Sequence, residues 1–156
     1  LLAFGTFQVE RPDPSKGLLA IEQSPYAEIR VVENDSTRYL LIDGGTHTIV
    51  EPETWKSRFP YVAMMDLPKY LFSDQGKALL VGLGGGTVVK NYARDQWEIE
   101  AVEIDPVVAR IANEYFGLRQ DEGEVQVARK ERRQVSMYEK VHFNTQRVRG
   151  AGFCAT

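Results

Sequence analysis

The feature that most constrains the fold is an apolar run that leads directly into a cluster of glycines. Residues 77–83 read Lys-Ala-Leu-Leu-Val-Gly-Leu, and residues 82–87 read Gly-Leu-Gly-Gly-Gly-Thr. A continuous apolar run of this length is typical of a strand buried on both faces, as found in parallel sheets covered by helices. The run therefore predicts an α/β fold, with a buried parallel strand followed by a glycine turn.

The chain after the glycines continues this alternation of helix and strand. Residues 87–94 suit a helix and residues 97–103 a second strand, and Asp105-Pro106 then opens another helix with an N-cap acid and a proline at its first position. Apolar residues in that helix recur every three or four positions and predict one buried face, before Gly117 provides a left-handed cap. They are Val107, Val108, Ile111, Ala112, Tyr115 and Phe116.

The first third of the chain has the alternation of β structure. Apolar and polar residues alternate over 18–22 and 27–33, and the runs 38–42 and 46–50 flank Asp43-Gly44. Asp-Gly between two such runs is a strong hairpin signal, so a three- or four-stranded antiparallel meander is predicted. Between Glu53 and Phe72 the spacing loosens toward a connecting helix that ends at Pro68.

Four parts follow from this pattern. We predict a leader or linker over 1–17, a β meander over 18–52, a connecting helix and loop over 53–76, and a partial Rossmann nucleoside-binding domain over 77–156. From about residue 119 the charge balance turns basic and no apolar period persists, so that the tail of this domain is atypical. The predicted fold class is α/β, a partial methyltransferase-like Rossmann fold preceded by a small antiparallel β domain.

Composition narrows the classes of function. With 156 residues, 43% of them hydrophobic, the chain is long enough for one globular domain, and its net charge of −3 gives no reason to expect a nucleic-acid partner. One Cys and two His do not make a four-ligand structural zinc site, and a lone Cys makes no internal disulfide. No metal and a reducing, cytoplasmic location are expected.

The glycine turn and one acid after it carry the predicted site. Missing side chains let a ligand approach the backbone where the next helix presents its free amides. The glycines are Gly82, Gly84, Gly85 and Gly86. Glu103 ends the second strand, so its carboxylate is expected in the same crevice, where it can accept hydrogen bonds from both ribose hydroxyls. Alternatively, the glycines only permit tight packing, Glu103 faces solvent, and Asp105 is a helix cap rather than a ligand.

These motifs, taken in order, resemble the spermidine synthase (polyamine aminopropyltransferase) family over roughly residues 24–118. Ser24-Pro25-Tyr26-Ala27-Glu28 looks like the family's opening strand, and Leu41-Ile42-Asp43-Gly44 like its hairpin. The segment 81–90 looks like its glycine loop, and Val102-Glu103-Ile104-Asp105 like its Glu-Ile-Asp. The resemblance implies decarboxylated S-adenosylmethionine or S-adenosylmethionine as co-substrate, with Glu103 on the ribose, and an amine as second substrate.

The chain also departs from that family. Ala27 stands where members usually carry Gln, His47 replaces a hairpin Gln, and Gly85 replaces the Asp of the glycine loop. Tyr26, His47 and Tyr61 are the candidates for the substrate side, although His47 alone is better explained as a strand-surface residue.

The family's catalytic residue is an Asp on a loop after the fourth strand, and no Asp is found there in this chain. Asn144 stands at that place, and Glu139 fits poorly by position. The catalytic residue is therefore unknown.

Three functions remain open from the sequence. The main hypothesis is an aminopropyltransferase-type transferase of polyamine biosynthesis that keeps the nucleoside half of its site. The runner-up is an S-adenosylmethionine-dependent methyltransferase, against which the hairpin at Asp43-Gly44 argues. The third is a non-catalytic nucleoside-binding module whose β domain forms homo-oligomers. Some synthase-like members are fused to membrane segments, so residues 1–7 are an alternative exit from an upstream segment at the cytoplasmic face of a membrane.

Overall fold

A computed structural model describes residues 10–72 and 76–128 and the backbone of 138–140. Two four-stranded sheets organise these residues. The first sheet consists of β1 (Leu18–Gln23), β2 (Glu28–Asn34), β3 (Thr37–Ile42) and β4 (Gly45–Val50). The second consists of β5 (Lys77–Val81), β6 (Glu98–Glu103), β7 (Glu124–Ala128) and β8 (Tyr138–Lys140). The helices are α1 (Pro60–Met65), α2 (Leu67–Leu71), α3 (Thr87–Arg94) and α4 (Pro106–Phe116).

The first sheet is an antiparallel meander in the order β1-β2-β3-β4. Its two tight turns place consecutive residues at positive φ, Asp35 and Ser36 in one and Asp43 and Gly44 in the other. Positive φ at both central positions defines the type I′ turn, whose twist matches that of the flanking strands. The predicted hairpin at Asp43-Gly44 is confirmed, and the meander has four strands.

The connecting segment differs from the prediction. The single helix expected to end at Pro68 is wrong, because two short helices, α1 and α2, flank Asp66. Pro68 lies in the first turn of α2, where a missing N–H breaks no intrahelical hydrogen bond. The proline therefore marks the start of the second helix rather than the end of a first one.

The second sheet is parallel over three strands, in the order β5-β6-β7. This confirms the partial Rossmann-like fold after an antiparallel domain. β7 lies within the tail predicted to be atypical from about residue 119, and the buried Val125 and Val127 form its inward face. Charged neighbours hid this short period of two in the sequence. The division of the chain into domains stays a prediction.

The last described strand, β8, pairs with β7 in the antiparallel direction. In the sequence, the segment 138–144 resembles the family's fourth strand, and within it Tyr138–Lys140 form a strand. Glu139 lies opposite Val127, with β6 and β7 between its strand and β5. Asn144 lies outside the described residues.

Helix α4 packs between the two sheets. Its Ala109 and Ala112 belong to a core cluster with residues of β6 and β7, whereas Val108, Ile111 and Phe116 pack with the meander. The helix is buried on two sides, one more than the sequence predicted. Apolar burial on both sides of α4 joins the meander and the parallel sheet into one packed unit.

Candidate nucleoside site

The glycine turn connects β5 to α3 at the carboxyl edge of the parallel sheet, where ligands bind in open α/β folds. Gly82 has φ +88° and Gly86, the residue before α3, has φ +74°. Residues other than glycine rarely adopt such φ values. The turn therefore bends as the sequence predicted, directly before the free amides of the helix.

The four glycines serve different purposes. A Cβ on Gly85 would lie 2.7 Å from Cγ2 of Thr48, and a Cβ on Gly86 would lie 3.0 Å from the side chain of Leu118. A Cβ on Gly84 would lie 3.1 Å from Oγ1 of Thr48. At Gly82, by contrast, a Cβ would meet nothing within 4 Å. The packing interpretation accounts for Gly85 and Gly86, and Gly82 faces open space from which a ligand can approach.

Glu103 lies beside this turn and not in solvent. Its position at the end of β6 shares the alternation of Ile99 and Ala101, whose side chains face the helices, and the residue is only 8% exposed. Its Oε2 accepts a hydrogen bond from the amide of Leu83 at 2.9 Å. The carboxylate and the glycine turn are therefore on the same side of the sheet, in direct contact.

The second carboxylate oxygen of Glu103 is also used. Oε1 accepts hydrogen bonds from the amides of Ile104 at 2.8 Å and Asp105 at 3.0 Å. A carboxylate offers about four acceptor positions, of which three are filled here. One lone pair on Oε2 remains for a ligand hydroxyl, fewer than the two that the sequence interpretation requires.

Asp105 is the helix cap that the sequence alternative described. Its Oδ1 accepts from the amide of Val107 at 2.9 Å, which is the N-cap geometry for α4. Its Oδ2 accepts from the hydroxyl of Ser24 at 2.5 Å, and Asp105 is 3% exposed. Ser24 precedes β2, so this buried pair connects the meander to the start of α4. Asp105 has both oxygens occupied.

The three substrate-side candidates are dispersed around this edge. The amide of Tyr26 donates to Ser24 Oγ, which places the residue beside the Asp105 cap with its side chain exposed. His47 is exposed, and its carbonyl lies 3.9 Å from where a Cβ of Gly84 would be. Tyr61 stacks edge-on against Phe59 at 5.1 Å, and burial raises the pKa of its phenol. Hydrogen bonds link the first of these residues, but not the other two, to the glycine turn or the Asp105 cap.

Sequence reasoning missed two residues that hold the site together, Ser24 and Thr48. Both are buried polar residues from the meander whose partners lie far along the chain, Asp105 for Ser24 and Gly85 for Thr48. Thr48 shares the inward alternation of Val50, which was a signal in the sequence. Nothing local indicated its partner.

Among residues 10–72 and 76–128, no three His, Cys, Asp or Glu side chains gather into a group that could hold a metal ion. Within the same ranges, no helix has the length and apolarity needed to cross a bilayer.

Comparison with known proteins finds similarity to an aminopropyltransferase in sequence and to a spermidine synthase in fold. The chain is 35% identical to a polyamine aminopropyltransferase from Vibrio vulnificus over 104 residues, which are 61% of this chain and 34% of the relative. A probable spermidine synthase from Corynebacterium glutamicum matches the fold with a TM-score of 0.58 at 18% identity, over 69% of this chain and 43% of that structure. The chain is therefore similar in sequence to a polyamine aminopropyltransferase and in fold to a probable spermidine synthase.

The similarity has limits of length and kind. The chain spans about a third of the length of the aminopropyltransferase relative. It is also 45% identical over 49 residues to an eEF1A lysine and N-terminal methyltransferase homolog from Drosophila pseudoobscura pseudoobscura, over 30% of this chain and 7% of that protein. No protein-family model matches the chain. The relatives are transferases by name.

The structure explains one departure from the synthase pattern. An aspartate at position 85 would need a Cβ that lies 2.7 Å from Thr48 and 3.0 Å from Phe116. Distances below 3.0 Å force a neighbour to move, and Phe116 is fully buried. The replacement at 85 is therefore matched to the side chains packed around it.

Proposed function

We propose that the glycine turn and Glu103 bind the adenosine part of decarboxylated S-adenosylmethionine or a related nucleoside, as the nucleoside half of an aminopropyltransferase-type site. The observation that carries the proposal is the hydrogen bond from the Leu83 amide to Glu103 Oε2 at 2.9 Å. It puts a carboxylate with one unused lone pair beside the open approach at Gly82. One ribose hydroxyl would donate to that lone pair.

The reaction proposed for the whole protein is aminopropyl transfer in polyamine biosynthesis. A neutral amine nitrogen attacks the propyl carbon beside the sulfonium, the carbon–sulfur bond breaks, and the sulfur keeps the electron pair in a neutral thioether nucleoside. The new ammonium then gives a proton to a carboxylate that also orients the amine. We assign no residue of this chain to that role, since Glu103 and Asp105 already accept backbone amides. Catalytic incompleteness of this chain is part of the proposal.

Calorimetric titration with 5′-methylthioadenosine tests the binding. We expect a dissociation constant in the micromolar range, and at least tenfold weaker binding for Glu103→Gln. That variant loses the charge that strengthens the ribose hydrogen bond, and it turns an NH2 group toward a backbone amide that now donates to the carboxylate. Glu100→Gln is the matched control, because Glu100 lies on the same strand with its side chain exposed. Equal affinities for all three proteins would contradict the ribose role of Glu103.

The methyltransferase relative supports a second candidate, transfer of a methyl group from S-adenosylmethionine. The two candidates differ in the co-substrate. Methyl transfer uses S-adenosylmethionine, which keeps the carboxylate of the methionine part, and aminopropyl transfer uses the decarboxylated form, which lacks it. Titration with S-adenosylhomocysteine beside 5′-methylthioadenosine separates them. Preference for the carboxylate-bearing nucleoside would favour methyl transfer, and the reverse preference would favour aminopropyl transfer.

A further inference from the structure

Strand β4 carries a β-bulge where it passes the glycine turn. Leu40 of β3 pairs with Thr48, but the next residue, Leu41, pairs with Thr46, so that His47 has no partner in the ladder. A bulge of this kind bends the strand and redirects the side chains beside it. Before the bulge the β4 residues are exposed, and after it Thr48 and Val50 are buried.

Thr48 is directed onto the glycine turn. Its Oγ1 accepts a hydrogen bond from the amide of Gly85 at 2.8 Å, and both groups are buried. Its Cγ2 fills the space that a Cβ of Gly85 would take, and its Oγ1 is 3.1 Å from that position on Gly84. Thr48 therefore holds the turn in two ways, by a hydrogen bond to the backbone and by packing against it.

Three further amides of the turn also donate hydrogen bonds. The amide of Gly82 donates to the carbonyl of Val102, and the amide of Leu83 to Glu103, both on β6. The amide of Gly86 donates to the carbonyl of Leu83 within the turn. Thr48 is thus the residue by which the meander accepts a hydrogen bond from the turn, whereas β6 supplies the acceptors for Gly82 and Leu83.

We propose that Thr48 is a positioning residue that sets the glycine turn for nucleoside binding, so that the meander is part of the nucleoside site. This inference rests on the proposed function. Without the Thr48 hydroxyl, the Gly85 amide would be buried without an acceptor, and the turn would shift to reach water or another oxygen. The shift would change the open space beside Gly82, from which a ligand approaches, and the geometry of the hydrogen bond from the Leu83 amide to Glu103.

Thr48→Val and Thr48→Ser separate the hydrogen bond from the packing. Valine keeps the shape and removes the acceptor, whereas serine keeps the acceptor and removes the methyl group. We expect Thr48→Val to weaken 5′-methylthioadenosine binding about tenfold and Thr48→Ser to stay within about threefold of the parent. Thr46→Val is the matched control, because Thr46 lies on the exposed side of the bulge, and it should bind like the parent.

Hydrogen exchange of the peptide over residues 82–88 gives a second measure. We expect faster exchange in Thr48→Val than in Thr48→Ser, with exchange over β6 unchanged. Should Thr48→Val fail to fold, Thr48→Ser and Thr48→Cys form a second pair of similar size that differs in acceptor strength, and the cysteine variant should bind more weakly.

The outcomes distinguish the role proposed for Thr48 from the proposed nucleoside binding on which it rests. If the parent and Thr48→Val bind the nucleoside equally while Glu103→Gln binds weakly, the role of Thr48 is overturned and the proposed function stands. If the serine and valine variants lose affinity alike, packing alone explains Thr48 and the positioning role fails. If the parent binds no nucleoside, the proposed function fails, and this inference fails with it.

Discussion

Helix α4 and strand β5 both carry apolar residues along much of their length, yet the structure uses them in opposite ways. Val108, Ile111 and Phe116 of α4 are at most 2% exposed, between the meander and the parallel sheet. Leu79 and Val81 of β5 are 66% and 81% exposed, while Ala78 and Leu80 on the other face pack toward the helices. The strand predicted to be buried on both faces is partly buried on one face and exposed on the other.

The difference follows from which elements cover each surface. Helices α3 and α4 both contribute to the core on one face of the parallel sheet, and the meander covers the far side of α4. No described element packs over Leu79 and Val81, whose face of the sheet is open in residues 10–72 and 76–128. An apolar sequence thus indicates which residues can be buried, and the number of layers decides which are.

Replacing Phe116 with alanine tests the packed side of this comparison and should have the largest effect. Phe116 is fully buried, and its ring contacts the position where Gly85 would carry a Cβ. The cavity should lower the free energy of unfolding by about 3–5 kcal/mol. Urea denaturation followed by circular dichroism measures it. A loss below about 1 kcal/mol would mean that α4 is not enclosed between the sheets.

Two cations, one from the meander and one from α3, hold the C-terminal end of α4. Arg38 of the meander donates to the carbonyl of Tyr115 at 2.5 Å, and Lys90 of α3 donates to the carbonyl of Phe116. Both cations lie over the ring of Trp55, at 5.7 Å and 4.7 Å from its centroid. Positive charge at a helix C-terminus is favourable, and the indole face adds to it.

Burial nevertheless lowers the pKa of Lys90 to about 8, with Arg94 adding to the decrease and Glu122 opposing it. Since the unfolded chain keeps its proton up to about pH 10.5, it binds more protons than the folded chain between these values, and stability contributed through Lys90 rises with pH there. Below pH 8 both states are charged and the burial cost is fully present.

Lys90→Met should remove this pH dependence. Between pH 8 and pH 10 the free energy of unfolding of the parent should rise relative to the variant by roughly 2 kcal/mol. Urea titrations of both proteins at the two pH values measure the difference, and Lys16→Met, which changes an exposed lysine, is the control. Parallel pH profiles for parent and Lys90→Met would show that Lys90 titrates as an exposed lysine does.

Local signals account for what the sequence predicted correctly. The alternation in β1 to β4, the Asp43-Gly44 turn and the Asp105 cap each depend on residues within a few positions of one another. The glycine turn and Glu103 were expected in one crevice, because consecutive parallel strands end at the same edge. Their contact through Leu83 agrees with that expectation.

Long-range pairs account for what the sequence did not predict. Ser24 meets Asp105 across 81 positions and Thr48 meets Gly85 across 37. Such pairings depend on how the meander docks on α4, which no local period encodes. Local sequence also does not indicate which face of β5 is covered. Ala78 and Leu80 pack toward the helices and Leu79 and Val81 are exposed, yet both pairs are apolar.

The exposure of the outer face of β5 is tested by replacing one valine with threonine on β5 and, for comparison, one on β2. Threonine keeps the shape and strand propensity of valine and adds a hydroxyl, which is costly only where water is absent. In β5, Val81→Thr should change the free energy of unfolding by less than about 0.5 kcal/mol. In β2, Val31→Thr places the hydroxyl at a fully buried position and should cost about 1–3 kcal/mol. Similar losses at both positions would show that the outer face of β5 is covered in solution, and the contrast between α4 and β5 would then have to be withdrawn.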